Sequence, residues 1–437
     1  MRTRSAAVVA ALALASTARA DTVEVNSTTM LMWQQDFRLP ASTATSQQTQ
    51  PYTVAPLMEL LSVSARDIQN PIFEHFELEM STWGGVDLSD HRWQPGPTLT
   101  SDFYGDLDTA YAKGDLFSQH LSLRIGRQNV IEGNSRMLHL DGLEAVVQLP
   151  QNFGVSGYFG KPVASRFDAT GTDRTTNPTE GDYAGGGRLF YSVPGLLQAG
   201  ASFAWAVDHG ELSRQDVGAD LMITPYRSLT FNGFLDYSLY EAGIAEGTVT
   251  ATWQMDRKLS FAADYSHLEP DLFLPRDSIL AVFSNAKQDN VGGTVHFAPC
   301  RGASLDGIYH VLLEAGGTGH DARLRGTLHP YSEYTTVGTE LRYLHNYDNG
   351  YSEARVFGSQ KLGRANFTLD LQGFYFEDVV NDHRTSLLAT ATAGYDLGGG
   401  FSAQLTGGGG YSPFITDQAQ LMAKLVYNET YHFRETR

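Results

Sequence analysis

Arg124, Arg188, Arg323, Arg325, Arg342 and Arg355, with Glu77, Glu79, Asp236, Asp264, Asp370 and Asp396, each take the polar place in a stretch where apolar residues fall on every second position. Guanidinium and carboxylate groups in such rows do electrostatic work. Lining a wet passage, they select hydrated anionic or polyhydroxy solutes. The same placement has a plainer cause: a charge on a lipid-facing position costs about 2–4 kcal/mol near the bilayer midplane, so membrane residence alone drives these groups to the other face. Clustering separates the two readings, and Arg323 and Arg325 with Arg342 on the next strand form the densest basic patch. The twelve are the candidate pore-lining residues.

Other chemistries find little support. A hydrolytic site needs a nucleophile, a base and an orienting acid brought together, but the 13 His are scattered, and His310, His320, His329 and His345 share no telling spacing. Neither H-x-x-x-H nor C-x-x-C occurs. No catalytic residue, metal ligand or cofactor is expected, and the chain is read as a non-enzyme. Cys300, alone in a tight turn, reads as an inert thiol.

The elements that would position these groups are period-two strands from about Phe73 to Phe433. Leu369, Leu371, Gly373 and Tyr375 alternate with Asp370, Gln372 and Phe374, and Leu229, Phe231, Leu235 and Tyr237 with Thr230, Asn232 and Asp236. A chain of this length made almost wholly of such strands closes on itself in a bilayer, with its apolar face against lipid. Composition agrees: Gly 44, Tyr 21 and Phe 23 against Cys 1 is a glycine- and aromatic-rich chain. Outside the first twenty residues there is no run of about 18 apolar residues, the length at which a membrane helix becomes a candidate.

Residues 1–20 read as a signal peptide: Arg2 and Arg4, an apolar run from Ala6 to Ala15, then Ala18-Arg19-Ala20 before Asp21. Removing them leaves 28 Lys and Arg against 49 Asp and Glu, a balance of −21 that disfavours nucleic acid as a partner. Residues 21–56, rich in Thr, Ser, Gln and Pro toward their end, read as an N-terminal lead-in or a first strand followed by a loop. Residues 57–437 read as the barrel, with no linker to divide it.

Turn lengths alternate. Short ones fall at Pro150-Gln151-Asn152, Pro194-Gly195, Asp256-Arg257-Lys258, Leu362-Gly363-Arg364 and Gly398-Gly399-Gly400. Longer polar segments lie between, at residues 166–182, 269–289, 346–350 and 377–384. Short periplasmic turns and longer extracellular loops are the outer-membrane pattern, and the expected fold is all-β: a transmembrane antiparallel barrel of roughly 18 strands, within a range of about 16–20, in the outer membrane of a Gram-negative bacterium. Leu272, Phe273 and Phe283 make the 269–288 segment too apolar for a solvated loop, so it either folds inward as a constriction or packs on the rim. Aromatic residues near strand ends read as interfacial girdles.

Two stretches carry resemblances. Leu421 to Phe433, alternating and ending on Tyr431 and Phe433, resembles the closing strand that the barrel insertion machinery recognises, although Arg434 to Arg437 extend beyond the usual aromatic end. Leu121-Ser-Leu-Arg124-Ile-Gly126-Arg127-Gln128, followed by Gly133, Arg136 and Asp141-Gly142-Leu143, resembles a strand-and-loop pattern of alginate-export-like barrels and related porins. That resemblance implies Arg124 and Arg127 near the pore and a conduit for a secreted polysaccharide, served by a periplasmic export protein. The mixed charge of the inferred lumen departs from that family's arginine-rich passage. A diffusion porin for small hydrophilic solutes and a plugged structural or adhesive barrel are the alternatives.

Overall fold

The computed structural model describes residues 21–38, 50–89, 103–131, 133, 138–163, 182–208, 210–273, 287–330, 332, 334–346 and 349–433. Residues 1–20, read from sequence as a signal peptide, Phe283 and residues 434–437 lie outside them. Among the described residues twenty-three strands follow one another, from β1 (Thr22–Arg38), β2 (Gln50–Val54) and β3 (Pro56–Arg66) to β22 (Phe401–Tyr411) and β23 (Ile415–His432). β2 and β3 both lie along β1, the first on its upper end (Gln34↔Val54) and the second on its lower (Thr22↔Arg66). Pro56 has no N–H to offer the ladder, so the strand breaks at Ala55 and resumes. Counting that pair as one stave, the ring has 22. The expectation of roughly 18 strands is therefore too low.

Every stave from β3 onward pairs antiparallel with its successor, and β23 returns to β1 over Thr22↔His432 to Arg38↔Ile415. The sheet is closed. Closure is what lipid demands, because an edge strand would hold a row of unpaired N–H and C=O groups where no water can reach them. Two features explain the undercount. Thr22–Arg38 is a full stave, so the 21–56 segment takes the first-strand form of its two readings. Residues 377–384 are no loop: β20 (Ala365–Val380) and β21 (His383–Gly398) meet across Asn381 and Asp382 alone, both at positive φ.

With an even ring both termini fall at one end. That end carries the short turns at 117–120, 149–152, 194–196, 227–228, 255–258, 301–302, 363–364 and 399–400, and is the periplasmic one. Gly398, Gly399 and Gly400 all have positive φ, which only glycine adopts without cost. The opposite end carries the long connections 39–49, 88–102, 163–182 and 269–287.

Alternation fixes the faces. Leu341, Leu369, Leu371, Leu405 and Leu421 are exposed on one side, and paired aromatic rings band that side at two levels. Near the periplasmic ends stand Phe153 with Tyr191 (4.9 Å), Trp253 with Phe261 (5.9 Å) and Phe401 with Tyr427 (4.5 Å). Near the opposite ends stand Phe159 with Tyr183 (6.2 Å) and Tyr343 with His345 (6.5 Å). These are the interfacial girdles of a membrane barrel, and they place the protein across a bilayer.

The 67–75 turn folds back as a latch. Ile68 seals Val23 and Val25, both fully buried, with Phe76 and Tyr431 beside them. His75 Nδ1 lies 3.1 Å from Asp67 Oδ1, and this hydrogen bond holds the imidazole above its ordinary value of 6.5, against the opposing effect of burial and with the help of the charges of Asp67, Asp115 and Glu74. Because the folded-state value is the higher one, the contact is complete below 6.5 and is lost as pH rises through the raised value. Intrinsic-rate-corrected amide exchange in residues 67–75 should be slower at about pH 5.5 than at about pH 8, and His75→Ala should abolish the difference. Leu371→Arg on the lipid face should cost about 2–4 kcal/mol in equilibrium refolding into bilayers. Gln420→Lys on the inner face should stay within about 0.5 kcal/mol.

Candidate functional site: the luminal wall

The register places Glu77, Glu79, Arg124, Arg188, Asp236, Asp264, Arg323, Arg325, Arg342, Arg355, Asp370 and Asp396 on the inner face. Arg127 is not among them. Its partner across the ladder is Asp141, as Ile125's is Leu143, and Ile125 and Leu143 are both exposed on the lipid side. Three positions after Arg124 a strand has turned its side chain to the opposite face, and Arg127 holds Asp141 there at 2.8 and 2.9 Å. The expectation that Arg127 lines the pore is corrected by parity.

The inner groups are sorted into pairs. On β17 (Gly317–Leu328) to β20, Arg342 holds Asp321 bidentately at 2.9 and 2.8 Å and donates to the Tyr351 hydroxyl at 2.9 Å. Arg323 lies 4.0 Å from both Asp321 and Glu340. Arg355 grips Asp370 at 2.9 Å through Nε, and Gln372 donates to Glu353 at 2.7 Å. Four arginines thus face four carboxylates, Asp321, Glu340, Glu353 and Asp370, and the patch read from sequence as basic is balanced. Arg325 is the exception: among the described residues it has no ion pair within 4 Å, and its guanidinium lies over the Phe357 ring at 4.8 Å, with Arg355 at 5.2 Å from the same ring.

Elsewhere the pattern recurs. Arg124 bonds Glu144 and lies 5.2 Å over Tyr111, whose hydroxyl donates to Glu79 at 2.7 Å, and Lys113 is 3.5 Å from Glu77. Arg188 bonds Asp220 at 2.9 Å and lies 5.2 Å over Phe190. Arg214 bonds Asp216 and stands 3.5 Å from Asp236, both of them buried. His310 lies 2.8 Å from Asp264, and His296 2.5 Å from Asp306. Asp396 serves its own turn, accepting from the Gly398 N–H at 2.8 Å. From β21 to β23 charges thin out to Asp396 and Lys424, which faces Gln404 across the ladder, with Thr392 and Thr406 at 3.0 Å and Gln418 and Gln420 beside them.

The sequence reading missed Glu144, Arg214, Asp220, Asp321, Glu340 and Glu353. Each occupies inward parity, so the alternation that found the others would have found these had both partners of each pair been sought. Of the constriction candidates, Leu272 packs on Gly243 at the rim end of β13 (Gly243–Gln254), where an added Cβ would stand 2.6 Å from its Cδ1. The Phe273 side chain and Phe283 lie outside the described residues. Among the described residues no group of three His, Cys, Asp or Glu could hold a metal ion.

No family model and no curated protein matches this sequence. Solved structures do match in fold. The P pilus usher (PapC) translocation pore aligns at TM-score 0.51 with 7% identity, over 94% of this chain and 100% of that one. An E. coli P pilus tip assembly intermediate containing PapC aligns at 0.53 with 8% identity, over 94% and 61%. Acinetobacter baumannii OccAB4 aligns at 0.45 with 10% identity, over 94% and 98%. The chain is a closed transmembrane β-barrel of the outer-membrane kind. These likenesses single out no alginate-export barrel.

Removing Arg342 strands Asp321 on a partly desolvated wall. Arg342→Ala should cost about 1.5–3 kcal/mol in refolding equilibrium, and Asp321→Asn in the same background should recover much of it.

Proposed function

We propose that this protein is a passive diffusion channel of the outer membrane for small hydrophilic solutes. The observation that carries the reading is a lumen face polar along every stave and locally charge-balanced. A water-filled passage needs the first property, and the second leaves no continuous cationic track for a long polyanion to follow. Twenty-two staves spaced about 4.8 Å apart and tilted about 40° make a ring roughly 44 Å across between backbones. Such a ring holds side chains, water and inward-folded loops together.

Export of a secreted polysaccharide with a periplasmic partner rests on the Arg124 stretch alone, and loses Arg127 from its passage. Arg325, over the Phe357 ring and without an ion pair within 4 Å among the described residues although Asp306 and Glu340 stand across the ladder, is a local source of anion preference. In planar bilayers the purified barrel should give discrete ohmic conductance steps, and Arg325→Glu should move the zero-current potential in a KCl gradient toward cations. Adding Arg323→Glu should move it further. A barrel without conductance would mean a plugged lumen, and long-lived block by an acidic oligosaccharide would favour export.

A further inference from the structure

The amphipathic pattern of β6 (Leu121–Val130) and β7 (Leu138–Gln148) inverts part-way up. Below the level of Gly126, Arg124 and Glu144 take the inner parity while Ile125 and Leu143 stand exposed on the lipid side. Above it the inner parity carries Gln128, Val130, Leu138 and Leu140, and the outer parity carries Arg127, Asn129, His139 and Asp141. Gln128, Val130 and Leu140 are fully buried, and Leu138 packs against Val130, Leu140 and the buried Tyr158 of β8 (Phe153–Pro162). An inner face open to water would leave such side chains wet, so this stretch of it is covered.

The inversion sits on a line of glycines. Gly126 pairs with Gly142 and Gly142 with Gly160, so three neighbouring staves carry no side chain at one level of the inner face. None would fit. A Cβ on Gly142 or on Gly160 would stand 2.7 Å from the Cα of the other, and one on Gly126, whose φ is +129°, would strike the Ala110 carbonyl. Crowding on the inner side is what a sheet creased toward the lumen produces, and glycine is the residue that permits so sharp a bend. β6 is bent accordingly: Arg124 Nη2 donates to the Asn129 carbonyl at 3.0 Å, although residues five apart in a straight strand are about 16 Å from each other, more than an arginine side chain spans. Gly133, in the connection between the two strands, lies against Ser202 of β10 (Leu197–Asp208), and a Cβ there would be 3.4 Å from Arg188 Cδ on β9 (Tyr183–Val193). Ser202 and Arg188 pair with each other on the inner face, four and three staves along from β6. Inner-face Ser156, Ala184 and Ala204 are buried in the same sector. Above the glycine line the hairpin has left the cylinder and lies inside it as a second layer.

We infer that the folded-in upper ends of β6 and β7 set the width of the passage, an inference that rests on the channel reading. Stacked sheet layers lie about 10 Å apart, so a second layer narrows the ring by about that much. Cutting the hairpin at the crease, with residues 128–140 replaced by an Asn-Gly turn, keeps the β6–β7 ladder up to Arg127↔Asp141. The shortened barrel should admit polyethylene glycols about 10 Å wider, read from which sizes depress single-channel conductance, and its conductance in polymer-free salt should rise. A second pair of variants tests the seat of the hairpin without any current. On a Cys300→Ser background, Gly133→Cys with Ser202→Cys should form a disulfide on mild oxidation of the folded barrel, and Gly133→Cys with Thr406→Cys, on the opposite wall, should not. A native barrel that conducts, with a size limit unchanged by shortening or with no disulfide at Ser202, would overturn the inference and keep the channel reading. A silent native barrel that conducts once shortened would support the inference and overturn the open-channel reading, and silence in both forms would overturn both.

Discussion

The pairing of β1 with β23 governs the rest of the molecule. Over the 17 residues of Thr22–Arg38 the first strand meets the last, and without that ladder both would present bare backbone to hydrocarbon. Closure explains why β1 is long and why Pro56 is tolerated where the second stave is stitched from two strands. It also explains why the Ile68 latch lies over Val23 and Val25, since the seam is the one place where local hairpin contacts cannot hold the sheet and residues distant in sequence must.

Once the ring is closed, two solvents divide the side chains. Lipid takes the leucines, the small residues and two aromatic girdles, and the lumen takes the charges. Inside, the wall does not leave its charges free. Most of the arginines lie within bonding distance of a carboxylate on the same or a neighbouring stave, and several stack on Tyr111, Phe190, Tyr351 or Phe357 as well. Paired groups keep the wall wet while giving it little net field. Phe374 joins Tyr351 and Phe376 in a compact cluster (5.5 and 6.5 Å).

The outer face is uneven. Most of it is a plain lipid surface, but the sector around β1 carries the Ser27 and Thr29 hydroxyls and the Glu59 carboxyl. That sector is also where alternation of apolar residues is weakest, and it is the sector whose sequence, residues 21–56, reads least like a barrel strand.

Alternation by itself determined the class of fold, the end at which the turns are short and the face of each of the twelve candidate residues, because a two-residue period needs only local sequence. It also contained Arg127's true orientation, three places from Arg124, which the motif resemblance obscured. Three things were decided by tertiary structure. Stave number depended on which polar pairs, such as Asn381-Asp382, are two-residue turns and which are loops, and that is settled by strand register. The neutrality of the Arg323–Arg325–Arg342 patch depended on Asp321, Glu340, Glu353 and Asp370 arriving beside it from four staves. The placing of Glu59 on the outer face depended on the register of β3 against β1, which sets Glu59 opposite Thr29.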